Sequence, residues 1–286
     1  MKKKKKNGKL FIVPTPIGNM KDITYRAIKV LNKIDYIASE NYKITLKLLN
    51  KFNIKKKIIS FHKYNEHKNT NLIIKKLKNK NIALISNAGT PTINDPGFIL
   101  VKKCHKKKIK VVPLPGACAA ITALSASGIP SNKFCFEGFL PSQEKKRCNT
   151  IKKIKFEKRT IIFYESPHRI KKSLKNIVEK LGPLRKMTLA RELTKYWESI
   201  KLQTAYYFFK KYKNNSLICK GEIVLIISGY KNKKKKKISK KIKKTLYILK
   251  PLLSLTKTAL VTSKIYNIKK NSLYKYLLKK QNNDKK

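Results

Sequence analysis

The spacing of apolar positions along residues 9–122 changes from segment to segment, between a pattern typical of strands and a pattern typical of helices. Short apolar runs, such as residues 82–86, are typical of buried strands, whereas residues 25–33 place apolar side chains at helical spacing. The pattern predicts strands at 9–13, 35–39, 82–86 and 109–114 and helices at 25–33, 66–79, 98–107 and 117–127. Because strands and helices alternate, the sequence predicts a parallel sheet covered by helices on both faces.

A second series of the same kind begins near Pro130. It predicts strands at 133–140, 159–165, 187–192 and 222–228 and helices at 143–154, 168–180 and 204–213. We therefore predict an α/β protein with two α/β domains, residues 9–122 and 123–230. The lysine-rich residues 231–250 are predicted to form a solvated linker, and residues 251–280 have the helical spacing of a small appendage. A docking role and an RNA contact both remain open for this appendage.

The charge of the chain indicates a polyanionic partner. Lysine and arginine number 71 against 14 aspartates and glutamates, which gives a formal net charge of +57. Such a field attracts nucleic acids, because basic side chains neutralise backbone phosphates. All but six of the basic residues are lysines, however, and isoleucine and asparagine are also abundant. This bias indicates that most individual lysines occupy tolerant surface positions rather than a binding site.

Cysteine usage and the lengths of apolar runs narrow the class of protein. Five cysteines are an odd number at wide spacings, which predicts reduced, packed thiols in a cytoplasmic protein. They are Cys104, Cys118, Cys135, Cys148 and Cys219. No C-x-x-C or H-E-x-x-H pattern occurs, so we predict no dedicated metal site. No run reaches the roughly 18 apolar residues of a membrane span, so we predict no membrane partner.

Polar segments rich in glycine and proline follow nearly every predicted strand. Ligands of open α/β sheets bind outside the carboxyl ends of the strands, so we expect these loops to line one shared cleft. The loops are residues 14–19, 40–41, 87–97, 115–120, 165–169 and 191–195. None contains G-x-G-x-x-G or G-x-x-x-x-G-K-[ST], so a nucleoside held by backbone groups fits better than a usual dinucleotide or a nucleoside triphosphate. Asp95 and Pro96 are predicted to be the N-cap and the first residue of the next helix.

Several longer blocks resemble a known family. They include LFIVPTPIGNMKDITYRAIKVLNKIDYIASE, ALISNAGTPTINDPGFILVKKC, IIFYESPHRI, LARELTKYWES and GEIVLIISG, in this order between residues 9 and 229. These blocks are similar to those of the ribosomal RNA small subunit methyltransferase I family, which belongs to the tetrapyrrole-methylase superfamily. The resemblance implies two α/β domains of tetrapyrrole-methylase type, with S-adenosyl-L-methionine in the cleft between them, and a homodimer. It also implies 2′-O-methylation of a cytidine ribose in the decoding region of 16S ribosomal RNA, within the small ribosomal subunit.

The same resemblance implies a set of site residues. The cofactor-binding candidates are Pro16, Gly18, Asn19, Asn87, Ala88, Gly89, Thr90, Pro91, Pro115, Gly116, Ala117, Ala190 and Gly221. Arg169 and Lys195 are candidates for RNA binding, and Arg191 is a candidate for a catalytic or an RNA-binding role. An arginine in a lysine-rich chain is informative, because its planar guanidinium binds phosphate or ribose oxygens in a geometry that lysine does not reproduce.

Methyl transfer to a ribose hydroxyl needs in-line geometry and benefits from a base. Fixing the reacting atoms in a site that excludes water supplies much of the rate, and a positioned base contributes about 10²–10⁴-fold. The candidate bases, which we expect in loops rather than on helix faces, are Glu165, Glu192, Glu40 and Glu66. The alternative for Glu165 with Arg169, and for Glu192 with Arg191, is a structural ion pair that holds a loop.

The chain departs from the family pattern at two places. Asn41, Tyr42 and Lys43 stand where the family shows an acidic residue followed by Thr-Arg, and Asn87 stands where it shows aspartate. Asparagine preserves the shape of an aspartate but not its charge. The first alternative function is therefore a catalytically impaired, basic RNA-binding or ribosome-assembly factor. The second is a methyltransferase of the same superfamily that acts on a non-RNA acceptor, such as a tetrapyrrole or a diphthamide precursor.

Overall fold

Two five-stranded sheets form the larger part of the protein. The computed structural model describes residues 8–214, 221–231 and 238–283. The sheets belong to one compact unit that extends to Tyr230, and a second unit begins at Lys231. Cys219 lies outside the described residues, and the four described cysteines have free thiols.

The first sheet is entirely parallel, as predicted. Its strands are β1 (Leu10–Ile12), β2 (Tyr36–Ser39), β3 (Lys57–Ser60), β4 (Ile82–Ile85) and β5 (Val111–Pro113), in the order β3-β2-β4-β1-β5. Its helices are α1 (Tyr25–Lys33), α2 (Tyr42–Lys51), α3 (Glu66–Lys76) and α4 (Phe98–Lys106). Ile82 and Leu84 of β4 pack against α3 and α4. Ala83 and Ile85 pack against α1 and α2, so both faces of β4 are buried and its apolar run is continuous.

The sequence pattern does not predict α2 and β3. Asn41 precedes α2, and its side-chain oxygen accepts hydrogen bonds from Lys43 N at 3.0 Å and Ile44 N at 3.3 Å. Such an N-cap starts a helix without needing a long apolar run behind it. β3 is an edge strand of four residues with only two of them half-buried. Its short, lysine-flanked sequence therefore carries little of the alternation by which strands are recognised.

The second sheet is mixed rather than parallel. Its strands are β6 (Phe134–Phe139), β7 (Thr160–Glu165), β8 (Lys186–Arg191), β9 (Ser199–Thr204) and β10 (Ile223–Ile227), in the order β6-β7-β10-β8-β9. β6 and β7 are parallel, whereas β10 is antiparallel to β7 and β8, and the unpredicted edge strand β9 is antiparallel to β8. Ile223 therefore lies opposite both Glu165 and Arg191, which places the start of β10 beside the ends of β7 and β8.

One helix from the first half of the chain covers the second sheet. This helix, α5 (Ala119–Ser125), follows the last strand of the first sheet. Its small residues Ala120 and Ala123 pack with Ile162 of β7 and Ile226 of β10, and Ile17 from the loop after β1 joins the same cluster. The loops of the two sheets are therefore held together by a shared apolar core. The remaining helices of this unit are α6 (Glu144–Lys153), α7 (Ile170–Leu181) and α8 (Ala205–Asn214).

The predicted range of α4, residues 98–107, agrees with the structure, but its predicted N-cap is wrong. The helix begins at Phe98, with Gly97 as its N-cap at a φ of 132°, and not at Asp95 and Pro96. Glu66, the first residue of α3, supplies the capping carboxylate instead: its Oε1 accepts from Gly97 N at 2.9 Å and from Ile99 N at 3.2 Å. A cap supplied from another helix leaves no local sequence signal. Asp95 therefore does not cap α4.

The second compact unit consists of three helices over the described residues 238–283. They are α9 (Lys240–Leu249), α10 (Leu255–Tyr266) and α11 (Lys270–Asn283). α9 occupies the second half of the predicted solvated linker. Ser239 caps this helix, and Ile242 and Leu246, which are one turn apart, pack in a core shared with the other two helices. The helical appendage predicted at 251–280 corresponds to α10 and α11. Within the described ranges, every helix is too short or too polar to span a bilayer.

Candidate active site between the two sheets

A cavity of about 440 Å³ lies where the loops of the two sheets meet. The loops after β1, β2, β4 and β5 line one side, and the ends of β6, β7 and β8 with the start of β10 line the other. The lining residues are Ile17, Glu40, Asn87, Ala88, Gly89, Thr90, Ile93, Asn94, Asp95, Cys118, Ala119, Phe139, Tyr164, Glu165, Ser166, Pro167, Leu193, Gly221, Glu222, Ile223 and Val224. The predicted shared cleft at the strand ends is confirmed.

Direct hydrogen bonds join the loops after β1, β4 and β5. The backbones of Thr15 and Gly89 exchange two hydrogen bonds of 2.9 Å. Thr90 Oγ1 donates to Ala117 O at 2.9 Å. Gly89 has a φ of 78°, a conformation that favours glycine, and an added Cβ would lie 3.3 Å from Ile17 Cγ2. Gly89 therefore shapes the turn, and its own backbone groups pair with the first loop.

The predicted cofactor-binding residues fall into two layers. Those that line the cavity are Asn87, Ala88, Gly89, Thr90 and Gly221. Those outside the lining are Pro16, Gly18, Asn19, Pro91, Pro115, Gly116, Ala117 and Ala190. Ile17, Cys118 and Ala119, their immediate neighbours in sequence, line the cavity instead. In the loop after β4, four of the five predicted residues therefore line the cavity, whereas in the loops after β1 and β5 neighbours of the predicted residues do so.

The loop after β1 touches the loop between β8 and β9 at the rim of the cavity. Asn19 N donates to Thr194 Oγ1 at 3.0 Å. An added Cβ at Gly18 would lie only 2.6 Å from Lys195 Cγ and 2.7 Å from Thr194 Oγ1. Gly18 thus allows two chain segments to approach closely, and the rim is built from both halves of the unit.

Glu165, a candidate base, has a structural set of partners. Its buried carboxylate accepts from Ser166 N at 2.7 Å, from Arg169 Nε at 3.2 Å and Nη2 at 3.1 Å, and from Ser173 Oγ. These donors fix the position of the carboxylate. The ion pair with Arg169 is the structural alternative that the sequence left open, and it fixes the loop after β7 against α7.

Glu192 is paired with Lys195. Lys195 Nζ lies 2.8 Å from Glu192 Oε1 and 2.8 Å from Glu222 Oε2, and Glu222 N donates to Glu192 Oε1 at 2.9 Å. Burial alone would raise the pKa of Glu192, but the Lys195 ammonium and the Glu222 N–H outweigh it and lower this pKa. Arg191 ends β8 opposite Ile223. This network ties the β8–β9 loop to the start of β10.

The other two candidate bases differ in position. Glu66 caps α4 and is outside the cavity lining. Glu40 lines the cavity at the end of β2, and its Oε2 accepts from Asn87 Nδ2 at 2.9 Å. Asn87 Oδ1 is buried and accepts no hydrogen bond from any described residue. The wall of the cavity therefore contains a buried acceptor that lacks a partner among the described residues, in the side chain that also contacts the Glu40 carboxylate.

Asp95 also lines the cavity, although the sequence did not identify it as a site residue. Burial, and then the neighbouring Glu40 carboxylate, raise the pKa of Asp95 from 3.8 to about 6, while the Ser86 hydroxyl lowers it in part. The signal was available, since Asp95 is one of only 14 acidic residues and lies in a strand-end loop. Asp95 was instead predicted to be the N-cap of α4.

Comparisons with known proteins agree with this architecture. Residues 9–206 match the family described as Tetrapyrrole (Corrin/Porphyrin) Methylases. The chain is 54% identical over 275 residues to the ribosomal RNA small subunit methyltransferase I of Buchnera aphidicola subsp. Acyrthosiphon pisum. The aligned residues cover 96% of this chain and 98% of the relative. The protein of the same name from Escherichia coli O157:H7 is 48% identical over 96% of each chain. The chain belongs to the ribosomal RNA small subunit methyltransferase I family.

The fold of this family member also resembles a solved structure. The crystal structure of diphthine synthase superposes with a TM-score of 0.61, covering 77% of this chain and 90% of that one, at 14% sequence identity. At this identity the likeness concerns the fold alone. The two-sheet arrangement with a tetrapyrrole-methylase fold is thus confirmed.

The cavity of this family member has a charge opposite to that of the chain. Four of its lining side chains are carboxylates, and among the described lining residues none is lysine, arginine or histidine. The whole chain, by contrast, has 71 basic residues and 14 acidic ones. The four carboxylates belong to Glu40, Asp95, Glu165 and Glu222. Arg169 pairs with Glu165 and Lys195 with Glu222, whereas Glu40 and Asp95 form no salt bridge with any described residue.

The asparagine at each departure from the family pattern has a local role, and nothing in the structure explains Tyr42 and Lys43. Asn41 caps α2. Asn87 donates its amide to Glu40, which an ionised aspartate cannot do. In the part of the chain that the structure describes, no group of three or more histidine, cysteine, aspartate or glutamate side chains could hold a metal ion.

Proposed function

We propose that the protein transfers a methyl group from S-adenosyl-L-methionine to the ribose 2′-hydroxyl of a cytidine in the decoding region of 16S ribosomal RNA. The partner is the small ribosomal subunit in the cytoplasm, and the working form is a homodimer. The name shared by the two relatives, ribosomal RNA small subunit methyltransferase I, supports the substrate. The observation that carries the proposal is the acidic lining of the cavity in a strongly basic chain.

The acidic lining selects the charge of the ligand. A carboxylate attracts a cation and repels an anion, and within a partly dry cavity this interaction is several times stronger than in water. Glu40 and Asp95 have no cationic partner among the described side chains, so a sulfonium and an ammonium group complement them. A nucleoside triphosphate or a phosphodiester would be repelled. We infer that RNA phosphates stay at the basic surface outside and that only the reacting nucleoside approaches the cavity.

Hydrogen bonding and size fit the same ligand. The buried Asn87 Oδ1 needs a donor, and an amine or a ribose hydroxyl supplies one. A volume of about 440 Å³ lies within the range of roughly 300–1,000 Å³ that is usual for small-molecule sites. Asn87 to Thr90, with Gly221 on the opposite wall, are the residues that we propose hold the cofactor.

The rate enhancement comes largely from positioning by rigid loops. S-adenosyl-L-methionine, when bound, supplies an electrophilic methyl carbon. The Thr15–Gly89 bridge fixes the loops after β1 and β4 before any ligand arrives, so little ordering remains to be done. Ile17, Leu193 and Val224 give part of the lining an apolar surface that keeps water away from the reacting atoms. Glu165 orients the loop after β7 through its hydrogen bonds to Ser166 N and Arg169.

RNA contacts are proposed for the rim. The Arg169 and Lys195 side chains are 27% and 32% exposed, and each is tied to a lining carboxylate, Glu165 and Glu222 respectively. Both cations can therefore reach a phosphate or ribose oxygen at the mouth of the cavity while neutralising the acidic groups behind them. Lys195→Gln should weaken RNA binding and reduce its salt dependence by about one phosphate contact.

Calorimetry on the full chain tests the cofactor assignment. S-adenosyl-L-methionine should bind, and Asn87→Ala should weaken this binding about tenfold, the factor for ~1.4 kcal/mol, which is within the range for a lost hydrogen bond. Asn32→Ala is the matched control, because Asn32 is exposed and bonds only its own helix. Absence of binding at millimolar ligand contradicts the proposal. Binding without methyl transfer to small subunits supports the assembly-factor alternative. Light scattering after gel filtration tests the homodimer.

A further inference from the structure

Two aromatic side chains are exposed to solvent in the loop between β8 and β9, at the rim of the cavity. Tyr196 is 89% exposed and Trp197 is 69% exposed, although tryptophan is usually largely buried. The two rings contact each other at an angle of 90°, with their centroids 4.8 Å apart. Neither ring belongs to an apolar core among the described residues. A flat ring packed on both faces would be largely buried, so each of these rings has a face open to solvent.

The loop that carries both rings, residues 192–198, is held in a fixed conformation. Glu192 and Thr194 have φ values of 52° and 64°, which are uncommon for residues other than glycine. Thr194 N donates to Glu198 Oε2 at 2.7 Å. Lys195 N donates to Glu192 O, and Glu198 N donates to Lys195 O, both at 3.0 Å. Backbone strain of this kind persists where surrounding contacts enforce it, and it concentrates at ligand-binding sites. An ordered loop also loses little entropy when a ligand binds.

The same loop continues into the wall of the cavity. Leu193 lines the cavity and packs in the core that joins the two sheets. Trp197 lies four residues further along the chain, so its Cα is at most about 14 Å from that of Leu193. Between them, Lys195 Nζ bonds the lining carboxylate of Glu222 at 2.8 Å. A nucleotide next to the one that enters the cavity can therefore reach the two rings.

We propose that the Tyr196–Trp197 pair stacks on a nucleobase of 16S ribosomal RNA that neighbours the target cytidine, and so holds the target nucleotide at the mouth of the cavity. This inference rests on the proposed function. Proteins that bind single-stranded RNA stack its bases on exposed aromatic side chains and hold its backbone with cations. Lys195 is the cation beside this pair. The two rings bind the RNA and take no part in the transfer of the methyl group.

A second copy of the chain is the competing occupant of this surface, because exposed tyrosine and tryptophan also anchor protein interfaces. The residues on either side of the pair favour RNA. They are Lys195 and Glu198, whereas the centre of a protein interface is depleted of charged residues. The net charge of +57 also attracts a polyanion. Of the two occupants, RNA is the one that must approach the cavity beside this loop.

Steady-state kinetics with small ribosomal subunits test the proposal. Trp197→Ala and Tyr196→Ala should each raise the KM for subunits about tenfold, equivalent to ~1.4 kcal/mol, which is within the range for one base–aromatic stack. The affinity for S-adenosyl-L-methionine, measured by calorimetry, should not change. Trp197→Phe should restore most of the wild-type KM, because a phenyl ring still stacks. Tyr206→Ala is the matched control, since Tyr206 is 52% exposed and lies at the opposite end of β9 from the 192–198 loop.

Salt dependence separates stacking from charge. A stacked ring neutralises no phosphate, so Trp197→Ala should leave the slope of log KM against log salt unchanged, whereas Lys195→Gln should reduce it by about one phosphate contact.

Fluorescence reports on the ring directly, because Trp197 is the single tryptophan of the chain. A single-stranded oligoribonucleotide of the decoding-region sequence should quench this fluorescence, at a concentration where the anisotropy of a labelled copy shows saturation. The same oligonucleotide without the bases that flank the target cytidine should quench it less.

The outcomes are distinct for the pair and for the proposed function. A wild-type KM in both alanine variants, or unquenched Trp197 fluorescence at saturation, overturns the stacking role and leaves the proposed function intact. A lower molar mass of Trp197→Ala in light scattering also overturns it, because the pair would then join two copies of the chain. Failure of the wild-type protein to bind cofactor or to methylate subunits refutes the proposed function itself. Thermal melts should show each variant folded, since both rings are exposed.

Discussion

Replacing Asp95 by asparagine should stabilise the protein above pH 6 and leave its stability unchanged below pH 4. The folded-state pKa of about 6 is higher than the ordinary value of 3.8. Between these two pH values the folded state holds more protons than the unfolded state, so stability falls as pH rises through this window. Asparagine does not ionise and escapes that loss.

The size of the effect follows from the same pKa values. A difference between 3.8 and about 6 corresponds to ~3 kcal/mol for a fully buried group. Asp95 is only half-buried, so solvent screens the interaction, and we expect on the order of 1 kcal/mol. For a unit of this size, 1 kcal/mol raises the midpoint of thermal unfolding by about 2–4 °C.

Thermal unfolding of wild type and Asp95→Asn at pH 8 and at pH 4 measures this difference. The variant should melt higher at pH 8 and at the same temperature as wild type at pH 4. Glu144→Gln, which removes an exposed carboxylate in the first turn of α6, should show no such difference between the two pH values. An Asp95→Asn protein that is less stable at pH 8, or that differs from wild type equally at both pH values, would refute the argument that Asp95 is held as a destabilised carboxylate.

Three further predictions follow from contacts near the site. Glu66→Ala removes the cap of α4 and should lower the free energy of unfolding by ~1 kcal/mol in urea titrations, with methyl transfer retained. Arg147→Ala leaves Asn176 Oδ1 and two carbonyl oxygens without their buried donor and should cost about 3 kcal/mol by the same method. Gly18→Ala places a Cβ against Lys195 and should reduce kcat/KM about tenfold, equivalent to ~1.4 kcal/mol, with a normal circular dichroism spectrum. Wild-type values in any of these assays would contradict the corresponding contact.

The sequence predicted those strands and helices whose own residues are apolar at the positions that become buried. β4 is apolar along its whole length because both of its faces are covered, and the short apolar run bounded by a polar glycine- and proline-rich loop indicates a buried strand. β3 was missed because it is a short strand flanked by lysines, with only two half-buried residues, and α9 because four of its ten residues are lysines and only Ile242 and Leu246 are buried. β9 is an edge strand with a half-exposed face, so its pattern is weak.

The site was predictable at the level of loops and not at the level of side chains. The strand-end rule identified every loop that lines the cavity on the first sheet. It gave no way to see that Glu66 caps a helix 31 residues away, or that Ser173 also donates to Glu165, although the ion pair of Glu165 with Arg169 was one of the predicted alternatives. Asp95 was wrongly predicted to cap α4 for the same reason, because the sequence does not show that Glu66 supplies this cap. Long-range hydrogen bonds of this kind leave no spacing signal.

Mass spectrometry of methylated RNA tests the central claim most directly. Small ribosomal subunits that lack the modification would be incubated with the purified full chain and S-adenosyl-L-methionine carrying a deuterated methyl group, and the 16S RNA would be digested and mapped. We predict one labelled 2′-O-methylcytidine, located in the decoding region. Label on a base or at a nucleoside other than cytidine, or unlabelled RNA with a protein that binds the cofactor, would contradict the account.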